Sequence, residues 1–169
     1  MLPLTENQIR SSFVNASRRE VAQATLPPLD TLDWASLEYL GWRDRKAPLS
    51  AYVVAEVDGD PVGVLLRSTE KSAGRARRKA VCQWCTDVLE TDDVTLWVAR
   101  RAGAAGRKGD TIGTLICTQF ACSQNVRRRP TRAEIGDDAE GRADAVIARR
   151  VAELRERSAQ FVRAVLATR

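Results

Sequence analysis

Apolar positions recur at helical spacing near the start of the chain, gather into short β-branched runs in its middle, and return to helical spacing at its end. Ile9, Phe13 and Ala16 mark one face, with Leu2 and Val14 nearby. Thr5 is placed to cap a helix, Gln8 can reach back to it from three residues on, and Leu4 and Ile9 occupy the two staple positions. These signals predict a helix from Glu6 to about Ala24, stopped by Leu26-Pro27-Pro28. Asp33 is placed to cap a shorter helix, Trp34 to Leu40, which Gly41 can end. Trp34, Leu37, Tyr39 and Trp42 bring large side chains to this stretch, and their simplest use is packing.

After Pro48 the period changes. Residues 51–57 and 62–66 are short, β-branched runs separated by Asp58-Gly59-Asp60-Pro61, which reads as a hairpin. Residues 72–79 form a polar, basic loop. Residues 94–100 predict a third strand, residues 102–110 a Gly- and Ala-rich turn, and residues 111–116 a fourth strand. Residues 127–141 have little apolar content and read as a loose connection. Ile147, Val151, Leu154, Phe161 and Val165 then form one stripe on a long helix over 143–167. Packing of that stripe on the chain's own body, giving a monomer, is simpler than packing in trans. The chain is thus read as one α+β domain over 1–169. It has an antiparallel sheet with N-terminal helices (5–47), a β-hairpin (50–67), a cysteine-bearing segment (80–127) and a long C-terminal helix.

Charge changes the picture because it is unevenly placed. Residues 1–66 carry 6 basic and 9 acidic side chains, residues 67–132 carry 14 and 6, and residues 133–169 carry 7 of each. The net +8 of the middle segment favours an anionic partner, either RNA or an acidic protein face. The absence of histidine removes Ser-His and Cys-His nucleophile pairs and the usual general base near neutral pH. Residues 103–109 resemble a phosphate loop only in glycine content, and the Asp92-Asp93 and Asp137-Asp138 pairs read as turn residues, so no enzyme is expected. The apolar runs are too short to span a bilayer and the N-terminus has no signal pattern, which predicts a cytoplasmic protein without membrane contact.

All four cysteines lie in the basic segment, as Cys82-x2-Cys85 and Cys117-x4-Cys122. In a reducing compartment such pairs are more often metal ligands than disulfides. Zinc takes four ligands in a tetrahedron, and thiolates alone suffice. A knuckle, a hairpin over 94–116, and a short helix that carries Cys122 have the layout of a treble-clef zinc finger. With four thiolates no coordination position stays open, so the expected metal is one structural Zn2+. Free buried thiols, a redox Cys-x-x-Cys around Trp84, and an iron–sulfur cluster are the other readings of the same residues.

Several strings resemble one family. Tyr39-Leu40-Gly41-Trp42-Arg43-Asp44-Arg45-Lys46-Ala47-Pro48, Cys82-Gln83-Trp84-Cys85, Ile112-Gly113-Thr114-Leu115-Ile116-Cys117 and Cys122-Ser123-Gln124-Asn125-Val126-Arg127 look like its signatures. It is the elongation factor G-binding family, similar to the C-terminal part of the fusidic-acid-resistance protein FusB. The resemblance covers roughly residues 5–165, although the chain is too short to include the separate helical bundle of the resistance proteins. It implies a treble-clef finger with Cys82, Cys85, Cys117 and Cys122 as ligands. It also implies a protein that binds elongation factor G and can promote its release from the ribosome, with no chemistry on the drug.

Elongation factors are acidic, which agrees with a basic face. The expected contacts are Arg100, Arg101, Arg107 and Lys108 in the hairpin turn, Phe120 in the finger, and Arg127, Arg128 and Arg129 just beyond it. The alternative is a basic zinc module that binds the ribosome or its RNA. Against that alternative, the segment has few aromatics for base stacking.

Overall fold

The computed structural model of the protein describes residues 1–68, 79–90, 93–135 and 139–167. Of the loop expected over residues 72–79, residues 72–78 lie outside the described residues and Lys79 is a strand residue instead; the Asp137-Asp138 pair and Asp92 also lie outside the described residues. The first helix, α1 (Glu6–Ser11), opens on the expected capping box: Gln8 N donates to Thr5 Oγ1 and Thr5 N to Gln8 Oε1. It does not run on to Ala24. At Phe13 the chain pairs with Gly63 instead, Val14 N donating to Gly63 O at 3.0 Å and Gly63 N to Ser12 O at 2.9 Å. A second capping box, Ser17 with Glu20, then opens α2 (Arg18–Gln23). Sheet pairing thus overrides the continuous helical period, and the Ser-x-x-Glu signal inside it marks the restart.

The helix expected over residues 34–40 is also corrected. Asp33 makes no side-chain cap, and a single 3-10 turn, Trp34–Ser36, is followed by strand β1 (Tyr39–Arg43). Strand pairing uses both faces here, Tyr39 on one and Leu40 and Trp42 on the other. Gly41 is a strand residue rather than a helix stop. A Cβ there would lie 2.7 Å from both the Phe120 and Tyr39 rings, so only glycine admits the finger this close.

β2 (Ser50–Val57) and β3 (Asp60–Arg67) form the predicted hairpin, turning through Asp58 and Gly59 at φ 54° and 93°. A short pair, β4 (Lys79–Val81) and β5 (Val88–Glu90), frames the first cysteines. β6 (Val94–Arg100), the one-turn helix α3 (Gly103–Arg107) and β7 (Thr111–Cys117) follow, then α4 (Cys122–Asn125). Within residues 127–141, read as a loose connection, α5 (Arg132–Ile135) forms, and α6 (Ala139–Leu166) starts earlier than expected. The five-stranded sheet runs β1-β2-β3-β6-β7, each neighbour antiparallel. The finger's hairpin is therefore part of the body's own sheet rather than an appendage to it.

Both faces of the central strands are covered, which explains the unbroken apolar run of β2. Ala51, Val53, Ala55 and Val57 face a core shared with α6 and the cysteines, while Tyr52 and Val54 face the N-terminal segment. The C-terminal stripe packs on this sheet, with Leu154, Phe161 and Val165 buried and Val151 packed against them. Among the described residues no helix is long and apolar enough to cross a membrane.

The N-terminal cluster is closed by one buried carboxylate. Asp44 accepts from Thr25 N at 3.0 Å, Lys46 N at 2.8 Å and Ala47 N at 3.2 Å, and the Tyr52 hydroxyl donates to it at 3.3 Å. Burial alone would raise its pKa, but these backbone bonds, Thr25 first, outweigh it and hold the carboxyl below the usual range. Burial and then Asp44 push the Tyr52 hydroxyl up to about 12. A depressed carboxyl contributes stability above its unfolded pKa and loses it as pH falls towards the folded value. Asp44→Asn is expected to cost about 1–3 kcal/mol at pH 7. The gap to the parent protein should narrow below about pH 4, the unfolded carboxyl's range. Urea titrations at pH 7 and pH 3 check this, and an unchanged gap contradicts it.

Candidate metal centre

Each ligand loop is built from a sharp local turn. After Cys82, Thr86 N closes back on Cys82 O at 2.8 Å, with Thr86 at φ 57°. After Cys117, Phe120 N closes on Cys117 O at 3.0 Å, with Phe120 at φ 58°. Two non-glycine residues in the left-handed region mark strain that the surrounding contacts must hold. Cys117 ends β7 and Cys122 opens α4, as the spacing predicts.

The four sulfurs converge. They lie within 4.8 Å of one another and all four residues are buried. Cys82 Sγ is 3.7 Å from Cys122 Sγ, and Cys85 Sγ is 3.7 Å from Cys117 Sγ. Sulfurs bound at about 2.3 Å in a tetrahedron sit about 3.8 Å apart, so the spacing fits one ion. It is far from the disulfide distance of about 2.05 Å. Hydrogen bonds from the Cys117 and Cys122 thiols pull Cys82 far below the usual thiol range, while the Cys117 and Cys82 sulfurs push Cys122 far above it. Without a cation the sulfurs at this spacing cannot all ionise together; one structural zinc ion among them allows all four to bind as thiolates.

The redox reading does not fit this environment. Cys82 is fully buried, opens no helix, and meets sulfurs of the second pair. Trp84 points into the core, edge-on to Tyr39 at 4.8 Å and 5.7 Å from Phe161 of α6. Burial and the neighbouring Cys122 sulfur push the Tyr39 hydroxyl well above its usual range.

Three supporting residues were not singled out from the sequence. Asn125 Nδ2 donates to Cys117 Sγ at 3.4 Å and to Cys85 Sγ at 3.7 Å, so one amide orients a ligand from each pair. Its place three residues after Cys122, one helical turn along, was the available signal. Asn125→Ala is expected to weaken zinc about 10- to 100-fold. Competition with a chromophoric chelator measures this, and parental affinity contradicts it. Gln83 treats β7 as a strand partner: its N donates to Leu115 O at 2.8 Å and its Oε1 accepts from Leu115 N at 2.9 Å. The knuckle thereby closes the middle of an edge strand. Glu38, just before β1, is the third: Arg127 grips it through Nη1 and Nη2 at 2.6 and 2.7 Å, and Glu38 N donates to Ser123 Oγ at 3.2 Å.

One family model, described as the FBP C-terminal treble-clef zinc-finger, matches residues 8–165. The chain belongs to that family. No curated protein and no solved structure matches it. The treble clef explains the order of parts seen here: knuckle, hairpin, then ligand-bearing helix. Within it the eight expected contact residues fall into two groups. Phe120 is buried 5.6 Å from the Trp97 ring, Arg101 donates to Ala164 O and Ala167 O, and Arg127 is held by Glu38. Arg107, Lys108 and Arg129 are exposed, as is Arg128, which lies 3.5 Å from Asp87. Arg100 is half exposed beside Glu20 at 3.0 Å.

Proposed function

We propose that this treble-clef protein is a non-catalytic adaptor that binds translation elongation factor G in the cytoplasm and promotes its release from the ribosome. The observation that carries the reading is membership of the FBP zinc-finger family over nearly the whole chain. The metal centre agrees with it. Four buried thiolates leave a bound zinc no open position for a substrate or water, so the ion builds a shape and performs no chemistry. The +8 of residues 67–132 suits an acidic partner and speeds encounter with it.

Calorimetric titration of the zinc-loaded protein with purified elongation factor G tests the reading. Saturable one-to-one binding that weakens with salt is expected. Absence of heat and of complex on gel filtration at tens of micromolar contradicts it.

A further inference from the structure

The N-terminal segment covers only part of its side of the sheet. Its apolar cluster rests on β1, β2 and β3 through Leu40, Trp42, Tyr52, Val54 and Leu65. Beyond β3, among the described residues, the same face of β6 and β7 is left open. The alternation that turns Trp97 and Ala99 into the core turns Leu96 and Val98 outward. Register sets Leu96 beside Leu115 and Val98 beside Gly113. Leu96 is 58% exposed, while Leu40, Leu65 and Leu66 of the same sheet are buried. Gly113 keeps this patch continuous: a Cβ there would lie 3.3 Å from Leu96 Cδ1 and 3.8 Å from Val98 Cγ2, so both side chains lean over the glycine.

A basic rim borders the patch. Arg67 is in register with Val98, and Arg100 lies two residues further along β6. Glu20 of α2 bridges them at 3.1 and 3.0 Å, yet their side chains stay 53% and 54% exposed. Glu20 and the Ser50 hydroxyl, which accepts from Arg67 Nη1, engage only part of the ten N–H donors that two guanidinium groups carry. Two adjoining clefts, about 390 and 280 Å3, open here; both include Asn15, Glu20 and Arg100, and the second reaches Arg107.

We propose that this face is a protein-docking surface for an acidic partner that inserts an apolar side chain over Leu96, Val98 and Leu115 and offers carboxylates to Arg67, Arg100 and Arg107. This inference rests on the adaptor reading and names the surface that carries it. An apolar floor within a charged, exposed rim is the anatomy of a protein–protein contact. Among the described residues that line the two clefts Glu20 is the one carboxylate, against Arg67, Arg100, Arg101 and Arg107, and this positive balance suits an acidic partner. A protein fits better than RNA because the exposed floor is aliphatic, whereas nucleic-acid strands are held by aromatic stacking.

The test is a titration of purified elongation factor G with the zinc-loaded parent protein, Leu96→Asp, the double variant Arg67→Glu/Arg100→Glu, and Arg155→Glu on the exposed face of α6 as control. Leu96 is largely in solvent, so the aspartate should leave the fold intact, and zinc content and melting curves verify this for each variant. Leu96→Asp is expected to weaken binding at least about tenfold. The double reversal should weaken it at least as much and flatten its salt dependence, with Arg155→Glu staying within about twofold. Equal binding by all four proteins overturns this surface and leaves the adaptor reading standing. No binding by the parent overturns both. Retention of ribosomal RNA by the parent, lost in the variants, overturns the choice of a protein partner.

Discussion

Replacing Cys117 by serine is expected to abolish zinc binding and to unfold the finger together with two strands of the main sheet. Cys117 is the last residue of β7, and β7 pairs with β6 along its whole length, from Val94↔Cys117 to Arg100↔Thr111. The metal centre therefore sits at the end of a sheet ladder. Cys82, Cys85, Cys117 and Cys122 also belong to the same apolar cluster as Trp84, Trp97 and Phe161. Structural zinc contributes about 10–16 kcal/mol in small finger peptides. A domain's entire margin is about 5–15 kcal/mol. Losing the ion removes an energy of the order of the whole margin, and Cys82→Ser should act alike. Amide hydrogen exchange should then report lost protection over β6, β7 and α4, reaching the Trp84–Phe161 contact. A zinc-free Cys117→Ser protein with parental protection in β6 and β7 contradicts this.

The second large effect is expected at Arg127. The Glu38 side chain is 1% exposed, and Arg127 supplies two short bonds to its two oxygens. Arg127→Ala leaves that carboxylate buried without its counter-charge, which typically costs about 3–5 kcal/mol. Glu38→Gln in the same background relieves the buried charge, so the double variant should be more stable than Arg127→Ala alone. The pair joins the entry of β1 to the end of the finger, residues 89 apart in sequence. Denaturant titrations of the two single variants and the double variant form the cycle that measures the coupling. A strictly additive cycle contradicts it.

These two sites also mark what could be read from the chain. The cysteine spacing carries its own geometry, because x2 and x4 loops place thiolates around one point whatever surrounds them. The β2–β3 hairpin was equally plain, since Asp58-Gly59 is a local turn signal between two β-branched runs. The break between α1 and α2 was not, because it comes from Phe13 pairing with Gly63, fifty residues away. Tyr39–Arg43 likewise has enough apolar residues to suit either period, and only the partner strand β2 decides for a strand. Arg127 reads as one more residue of a basic run, and nothing local distinguishes it from Arg128 or Arg129. Its role depends on Glu38, whose burial no window of sequence reveals. The same reasoning separates Phe120 and Arg101, which the fold encloses, from Arg100 and Arg107, which it leaves on the surface.

In the proposed adaptor, a zinc-built treble clef holds the surface that meets elongation factor G. Capture of elongation factor G from host lysate by the immobilised, zinc-loaded protein, run beside Cys117→Ser, tests it most directly. Capture by the parent protein and none by the serine variant is expected. Equal capture by both, or capture by neither while ribosomal RNA is retained by the parent, contradicts it.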